Sequence, residues 1–584
     1  MSDYSQGEAR LCIDCFEKIE KTKGARKLVN VLSFLPIEIH DFVVLLVVSK
    51  RWREAASQVL AVFKGIQYKV GFEKFTKMER RLLLMHWKSF FGHSRLMVQT
   101  LRCLAGTHRG ISDVIRFYKE SKSKSIVIVT SCRHLFCDNN VCNNSLQIND
   151  LIELIYISPN KLMLNNEEAE VWLGNLLKNI DIDWLCIFIP WLLTIGYTSA
   201  CQRLINNYLL PLVLQSKNFA FKFYFEAKLC RNEASRCEDF YIALMERVLQ
   251  LVTQETRDEI AKVETVTHLL QFPDKVKQEQ LDEIGTVCMP YNPRIKIYNI
   301  LLAQKKQINS YTKPWVIPMS TSEGMKHILI KRDDLRKDRL VVIVSYYLGE
   351  MIKNFNLTPY NIFPVSAECG WIEMLEKTKT LYDIEMENSS LQNYILNNNT
   401  ADNVMSIRRR FIQTCGSNCV LTYCLGLGDR NLHNILVTPN GNLVNIDFSF
   451  LLGTDPKFES NCEMKITKSM LDMLGGRQSD GFTAFQQFTK EAYKKVRKLA
   501  PFWYSLFTYL ATAQPPINPH VNDFKSIKKF CEERLMISYT DEETGVAIVQ
   551  IVNKNSSGSW RQQFSDYSHA LRTSLTDLIF RMDD

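Results

Sequence analysis

The stretch GLGDRNLHNILVTPNGNLVNIDFSFLLGTD, residues 426–455, decides the fold. Its first part is a loop that carries three polar residues, Asp429, Arg430 and Asn434. Its second part places apolar runs on both sides of the turn sequence Pro-Asn-Gly, a pattern that predicts a β-hairpin. An aspartate, Asp447, follows the second strand of this hairpin.

The hairpin has a chemical consequence for the polar residues at its two ends. Strands over 434–437 and 443–446 would bring Asn434 and Asp447 close together. Carboxylate and amide oxygens are the ligands that Mg²⁺ prefers, and Asp429 suits a place beside an attacking hydroxyl. The stretch therefore favours phosphoryl transfer.

The pattern of apolar residues changes near residue 290. From about 148 to 285 the apolar residues recur at a helical period. Downstream, short β-type runs flank one predicted helix over 339–353, and helical sequence follows over 401–424 and beyond 468. A small β-rich part followed by a large helical part is the outline of a kinase, so we predict an α+β fold class. The β-type runs are 315–318, 327–330 and 361–365.

Several ordered motifs resemble the phosphatidylinositol 3- and 4-kinase family, closest to its class III, vacuolar-sorting-type 3-kinases. IKRDDLRKDRL (330–340) is similar to the family's lysine strand and acidic turn, and LTPYNIFPVSAECGWIEML (357–375) to the next strands and the hinge. LLGTDPKFESNCEMKITKSMLDMLGG (451–476) is similar to the class III activation loop. The resemblance covers about 300–565 and implies a bilobal, protein-kinase-like catalytic domain over 290–584. Its small lobe would span about 290–375 and its large lobe about 376–584.

The resemblance implies an ATP site in the small lobe. Lys331 matches the lysine that holds the ATP phosphates, although the family usually places a glycine and one more residue before the acidic pair that follows here at once. Asp338 and Tyr360 match the acidic and phenolic pair at the back of the nucleotide pocket. Glu373 and Leu375 lie at the hinge, where backbone groups would bind adenine.

The resemblance also implies a catalytic loop and a metal site. Asp429 and Arg430 match the family's catalytic loop. Asn434 and Asp447 match its metal ligands, with Mg²⁺ as the expected ion and Mn²⁺ as an alternative.

Three residues depart from the family pattern. Asn431 replaces a histidine, and an amide cannot accept a proton near pH 7, so general-base help from this position is lost unless His433 compensates. Ser449 replaces the glycine of the Asp-Phe-Gly motif, and Asn445 replaces a second histidine. The metal ligands and the lysine are kept, so nucleotide binding is better supported than turnover. A weak or inactive kinase fold remains the alternative.

The activation loop suggests the lipid substrate. Family members that act on multiply phosphorylated lipids carry several basic residues there, whereas this chain has Lys457, with Lys465 and Lys468 further on. So few cations fit the single phosphate of phosphatidylinositol, with transfer to the 3-hydroxyl. Lysines that merely solvate a loop are the alternative.

Upstream segments resemble accessory modules. Residues 148–285 are similar to the helical scaffold domain that precedes the kinase in this family, whereas 71–147 have no recognisable fold. Residues 28–70 resemble an F-box, with Leu35-Pro36, an apolar helix and then Lys50-Arg51-Trp52. An F-box docks onto the adaptor of a cullin ubiquitin ligase, here through 28–62. A plain helical hairpin is the alternative, and an F-box adaptor built on an inactive kinase fold is the rival function.

The 17 cysteines favour buried thiols in a reducing compartment. One group, Cys132, His134, Cys137 and Cys142, has the residue types of a zinc site at an irregular spacing, so ordinary thiols remain the main interpretation.

Composition and charge limit the other function classes. The formal net charge of +9 over 584 residues suits anionic substrates or a membrane surface but is too dilute to indicate nucleic-acid binding. The polar N-terminus predicts no signal peptide, and every apolar run is shorter than the ~20 residues of a membrane span. We therefore expect a cytoplasmic protein that is peripheral on membranes, with a regulatory subunit as a further expected partner. The apolar residues over 560–582 predict a final amphipathic helix that lies on lipid or packs on the large lobe.

Overall fold

Helices make up the described chain as far as residue 282, and strands begin at Val287. The computed structural model covers the 584-residue chain and describes residues 50–67, 75–87, 94–104, 110–124, 151, 154, 167–194, 198–233, 237–310, 312–387, 390–399, 402–454, 463–500, 502–503, 506–507 and 524–556. These residues divide between two units, one within 1–184, 191–212 and 500–508, the other within 185–190, 213–499 and 509–584.

Four helices come first in the described chain, and α1 to α3 share one apolar core. One face of α1 buries residues at helical spacing, among them Ala56, Val59 and Phe63, against Leu82 and Leu83 of α2. A capping box fixes the start of α2, because Thr76 and Glu79 satisfy each other's backbone N–H groups. The helices are α1 (Lys50–Gln67), α2 (Lys77–His86), α3 (Ser94–Leu104) and α4 (Ile111–Lys124).

Two predictions fall largely outside the described residues. The apolar part of the F-box-like segment, residues 28–49, is one of them, and the contact with a cullin adaptor stays a prediction. The zinc-type group at 132–142 is the other. Within 71–147, for which no fold was predicted, the structure has the helices α2, α3 and α4.

The described residues of the segment predicted as a helical scaffold are mainly helical. Helix α8 carries a row of buried aromatic side chains, and Phe225 packs edge-on against Phe363 of the sheet with ring centroids 5.4 Å apart. Glu259 of α10 pairs with Lys296 of the sheet. The helices are α5 (Glu167–Lys178), α6 (Ile182–Thr194), α7 (Ser199–Leu204), α8 (Lys217–Glu233), α9 (Glu238–Leu251), α10 (Gln254–Leu269) and α11 (Gln278–Asp282), with a π-helical turn (Ile205–Leu209) and a 3₁₀ turn (Leu210–Leu214) after α7.

A seven-stranded antiparallel sheet follows, in the order β1-β2-β4-β5-β7-β6, with β3 paired to β4. The predicted β-type runs lie in β4, β5 and β6, whereas β1 and β2 were not predicted. The predicted helix over 339–353 is α12, which begins three residues earlier. The elements are β1 (Val287–Met289), β2 (Asn292–Ile300), β3 (Lys306–Gln307), β4 (Trp315–Thr321), β5 (Gly324–Lys331), α12 (Arg336–Met351), β6 (Ile362–Ser366) and β7 (Cys369–Glu373).

The described residues after β7 are mainly helical, with a small three-stranded sheet in the order β10-β9-β8. The predicted hairpin is confirmed, since Leu443 pairs with Val437 and Asn445 with Ile435. No helix among the described residues is long and apolar enough to cross a bilayer. The elements are β8 (Lys379–Thr380), α13 (Leu381–Met386), α14 (Leu391–Asn397), α15 (Val404–Leu425), β9 (Ile435–Val437), β10 (Leu443–Asn445), α16 (Lys468–Leu474), α17 (Asp480–Lys498), α18 (Phe524–Arg534) and α19 (Asp541–Ser556).

Candidate active site

Helix α15, whose second half is buried, supports both ends of the stretch from Gly426 to Asp447. Asn418 donates from its amide nitrogen to the Leu443 carbonyl (2.9 Å), and Thr414 accepts from the Leu443 N–H (3.0 Å), so the helix holds the hairpin. Asn445 is buried and donates to the Asn418 side chain at 3.0 Å. The helix ends at Gly426, whose left-handed backbone (φ +56°) turns the chain directly into the loop.

The loop holds its polar side chains through a dense set of hydrogen bonds. Asn431 caps a 3₁₀ turn (Leu432–Asn434) by accepting from the N–H groups of His433 (2.9 Å) and Asn434 (3.2 Å). Its amide nitrogen donates to Oδ1 of Asp429 at 3.2 Å, and that of Asn434 donates to the Asp429 carbonyl at 2.9 Å. Asp429 itself has φ +49°, a strained conformation for an aspartate. The loop thus presents this carboxylate between two amides.

Asn431 and His433 differ in their surroundings. Asn431 is buried, and its polar atoms serve the backbone and the carboxylate of the loop. The imidazole of His433 lies against the ring of Tyr382, with centroids 4.0 Å apart and planes inclined by 31°. The side chain of Asn431 therefore stabilises the conformation of the loop, whereas the imidazole of His433 packs against Tyr382.

Arg430 connects the loop to the segment after β10 that carries Asp447. Its buried guanidinium donates to the carbonyls of Gly428 (2.9 Å), Ile446 (2.8 Å) and Asp447. Burial lowers the pKa of Arg430, and the facing carboxylates, first that of Asp447, oppose this. Only the planar fork of an arginine can satisfy several carbonyls in this way, so a lysine would not replace it.

Asp447 and Lys331 form the charged centre of the site. Oδ2 of Asp447 lies 3.6 Å from Nζ of Lys331, and its Oδ1 accepts from the Ser449 hydroxyl at 2.7 Å. Burial by itself raises the pKa of Asp447. The charge of Lys331 and the Ser449 hydrogen bond together lower it by more, so the net shift of the pKa is downward. Asp333 is 2.9 Å from Nζ of Lys331. Burial alone would lower the pKa of Lys331, yet the carboxylates around it raise it.

Asp338 and Tyr360 lie buried next to this centre. Asp338 accepts the N–H of Phe448 at 3.1 Å, which fixes the backbone directly after Asp447. Burial raises the pKa of Asp338 to about 6, against the opposing effect of Lys331. Burial raises the pKa of Tyr360 well above its usual value, and the Asp338 carboxylate adds to this.

The predicted hinge residues lie at the end of β7. The Glu373 carboxylate accepts from Lys326 (2.7 Å) and from the Asn361 amide (2.6 Å), and the Glu373 N–H donates to the Asn361 carbonyl. The Leu375 carbonyl accepts the Thr378 hydroxyl at 2.9 Å. The side chain of Glu373 is therefore structural, which leaves backbone groups for any ligand at this edge.

Residues 383–516 match the family model described as phosphatidylinositol 3- and 4-kinase. The chain therefore carries a phosphatidylinositol 3- and 4-kinase domain. The matched segment contains the loop, the hairpin and Asp447, whereas Lys331 and Asp338 lie before it.

Curated relatives extend the similarity beyond this kinase domain. The chain is 29% identical over 303 residues to phosphatidylinositol 3-kinase VPS34 of Saccharomyces cerevisiae, covering 50% of this chain and 34% of that protein. It is 24% identical over 464 residues to phosphatidylinositol 3-kinase VPS34 of Arabidopsis thaliana, covering 71% and 57%. A root isoform of phosphatidylinositol 3-kinase from Glycine max is 30% identical over 284 residues, covering 47% and 34%. The chain thus spans between about a third and three fifths of the length of these relatives.

The oxygen donors in the kinase domain fit a hard divalent cation. Asn434 uses its amide nitrogen on the Asp429 backbone, so its oxygen is the atom left for a metal. Asp447 adds a carboxylate whose lowered pKa keeps it ionised at neutral pH. Mg²⁺ takes such oxygen ligands and retains several waters.

Only one of the two predicted lipid contacts falls among the described residues. Lys457 lies outside the described residues. Lys465 is buried, and its carbonyl lies 3.8 Å from the Cys419 sulfur. Its role in substrate binding stays a prediction.

Sequence reasoning missed two groups that lie close to Asp447. Lys337 donates from Nζ to the Ser449 carbonyl at 3.2 Å, and the Ser449 hydroxyl donates to Asp447, so both support the segment that carries Asp447. Lys337 directly precedes Asp338 in the sequence DLRKD (334–338). This adjacency to a predicted site residue was the signal that could have identified Lys337. At Ser449 the sequence indicates only the replacement of the glycine of the Asp-Phe-Gly motif.

Proposed function

We propose that the protein is a lipid kinase that transfers the γ-phosphate of ATP to phosphatidylinositol, at the 3-hydroxyl. The observation that carries this is the arrangement of Lys331, Asp447 and Asp338 next to a loop that presents Asp429. The relatives named phosphatidylinositol 3-kinases support the substrate class. The sheet over β1 to β7 and the helices from α13 onward would form the two lobes, with ATP between them.

Each residue has a task in this reaction. Lys331 would pair with the ATP phosphates, since its raised pKa keeps it charged. Backbone groups near Glu373 and Leu375 would bind adenine. Asn434 and Asp447 would hold Mg²⁺, which neutralises phosphate charge when bound. Arg430 keeps the two metal-binding segments in register through the carbonyls of Gly428 and Ile446.

The hydroxyl of the lipid would approach Asp429. This carboxylate is oriented by Asn431 and Asn434. It would accept the hydroxyl proton as the new oxygen–phosphorus bond forms and the bond from the γ-phosphorus to the β–γ bridging oxygen breaks, so that ADP leaves with that oxygen. No titratable histidine stands at position 431, so Asp429 carries this step without the help that the family histidine supplies. We therefore infer slow turnover, with chemistry rather than nucleotide binding as the weak step.

The test is a transfer assay at a membrane surface. The full chain is incubated with radiolabelled ATP, Mg²⁺ and phosphatidylinositol vesicles, and the labelled product isomer is identified. We expect phosphatidylinositol 3-phosphate as the product. A parallel assay with Mn²⁺ in place of Mg²⁺ shows which of the two ions supports the faster transfer. A protein that binds ATP but transfers nothing, with or without a co-purified regulatory subunit, would favour an inactive kinase fold.

Asp447→Ala provides the decisive variant in this assay. Loss of the carboxylate should abolish lipid phosphorylation, because Asn434 alone does not neutralise the phosphate charge. Asp402→Ala is the matched control, since Asp402 is exposed and pairs with Arg410 on the surface. Full turnover in the Asp447 variant would show that the metal site lies elsewhere.

A further inference from the structure

One ion pair joins the helical segment before the sheet to the helix that carries Asp338. Arg339 of α12 donates through both terminal nitrogens to Glu226 of α8, at 2.6 Å and 3.0 Å. The two side chains are 15% and 7% exposed. A bidentate arginine–carboxylate pair in such a buried position fixes orientation as well as distance.

The residues next to Arg339 reach in a different direction. Lys337 donates to the Ser449 carbonyl at 3.2 Å, and Asp338 accepts the Phe448 N–H at 3.1 Å. All three residues belong to the first turn of α12. One turn of helix is therefore held on one side by α8 and on the other by the segment that carries Asp447.

Helix α8 is itself firmly attached. Phe225 packs edge-on against Phe363 of β6, and Lys228 pairs with Glu264 of α10. The helix therefore offers Arg339 a fixed partner. The Lys228–Glu264 ion pair joins α8 to α10, so it involves the same helix as Glu226 but no residue of α12.

We propose that Glu226 and Arg339 are positioning residues for the nucleotide-binding site, so that α8 sets the orientation of the turn that holds Lys337 and Asp338 against the Asp447 segment. The inference rests on the nucleotide-binding half of the proposed function, and not on the lipid substrate. It makes a helix outside the matched kinase model a working part of the site.

The geometry of the pair supports a specific interaction rather than general packing. An arginine at 339 would be satisfied by water on an exposed helix, but here both of its terminal nitrogens meet one carboxylate. If the pair breaks, α12 can rotate about its axis, and the two hydrogen bonds to Phe448 and Ser449 weaken together. Because a misplacement of about 1 Å can cost on the order of 10²-fold in rate, a small rotation is enough to matter.

The variants separate this role from simple stability. Arg339→Met and Glu226→Gln each break the pair, and the double variant Glu226→Arg with Arg339→Glu restores it with reversed charges. Lys228→Met is the matched control, because it breaks an ion pair of the same helix that does not involve α12. Arg339→Lys keeps the charge and one hydrogen bond, which provides a milder variant that stays folded.

Two measurements on the full chain read the proposed effect. Hydrogen exchange of the peptide over 443–451 reports the Phe448 amide and requires neither ATP nor lipid. We expect exchange about tenfold faster in Arg339→Met and Glu226→Gln, less in Arg339→Lys, and near the wild-type rate in the charge-reversed variant and in Lys228→Met. Titration with a fluorescent ATP analogue and Mg²⁺ should show about tenfold weaker binding in the same order.

The outcomes are distinct. If Lys228→Met changes exchange over 443–451 as much as Arg339→Met does, the pair contributes only stability and the inference is wrong. Unchanged exchange in a folded Arg339→Met or Arg339→Lys protein overturns it as well. If the variants show the expected exchange pattern but the wild-type chain phosphorylates no lipid, the lipid kinase proposal fails and the positioning role remains.

Discussion

A single buried carboxyl, that of Asp338, should make the stability of the protein depend on pH. Its pKa is raised to about 6 in the folded chain from an ordinary value of 3.8, because burial disfavours the charge. The folded state therefore binds this proton more tightly than the unfolded state does. Its contribution to stability is greatest below pH 4 and falls as the pH rises toward 6, by roughly 3 kcal/mol in all.

Asp338→Asn tests this dependence. The amide resembles the protonated acid and does not titrate, so the variant should gain stability relative to wild type between pH 4.5 and 7. Urea unfolding at a series of pH values, followed by tryptophan fluorescence, measures the difference. Parallel pH profiles for the two proteins would contradict the assignment of the raised pKa to Asp338.

Position 431 decides how far the loop can assist proton transfer. The amide nitrogen of Asn431 is 3.2 Å from Asp429, so a side chain at this position lies next to the proposed proton acceptor. Asn431→His should raise lipid turnover, by at most about 10²-fold, with little change in ATP affinity. Asn431→Ala is the control, since it removes the cap of the turn and should cost about 1 kcal/mol without supplying a base. Turnover that falls in a folded histidine variant would show that the cap matters more than the proton.

At the scale of elements, one glycine joins the long helix α15 to the loop that carries Asp429. Gly426 combines φ +56° with a close approach, because an added Cβ would lie 2.6 Å from the Gly453 nitrogen. Gly476 has φ +86°, and a Cβ added to it would have no neighbouring heavy atom within 4 Å. Gly476→Ala should therefore cost about 1 kcal/mol from backbone strain alone.

Gly426→Ala should cost clearly more, because the Gly453 backbone must also shift. This shift should lower lipid turnover, whereas Gly476→Ala should leave it unchanged. Thermal unfolding and the transfer assay on the two variants give the comparison. Equal losses of stability would mean that the close approach relaxes at no cost.

The same scale shows what local sequence could predict. The hairpin was predictable because its turn residues and apolar strands lie within a dozen positions. Helix α12 was predicted to begin at Arg339, where its apolar period starts, yet it begins at Arg336, whose N–H and guanidinium both donate to Asp334. Strand β2 was missed because Pro293 and charged residues interrupt its alternation, and its pairing with β1 and β4 supplies what the pattern lacks.

At the scale of the whole chain, the candidate site depends on contacts between distant residues. The pairs Arg339–Glu226, Lys337–Ser449 and Asp338–Phe448 are separated by 113, 112 and 110 residues. Motif resemblance supplied Lys331, Asp338 and Asp447 as site residues, but periodicity and turn chemistry carry no information at such separations. The supporting residues Glu226, Lys337 and Ser449 become visible only when the chain is folded.

The burial of Arg430 has a consequence for proteolysis. Trypsin must draw an arginine into its own specificity pocket, and the guanidinium of Arg430 is engaged by carbonyls on both sides of the loop. Cleavage of the 430–431 bond should therefore lag behind cleavage after the exposed Arg408. Mass spectrometry of timed digests would show the order. Cleavage requires Arg430 to break its hydrogen bonds to the carbonyls of Gly428 and Ile446, so the cleavage rate would report how often this loop opens. A ligand that holds the loop closed would slow cleavage at this bond.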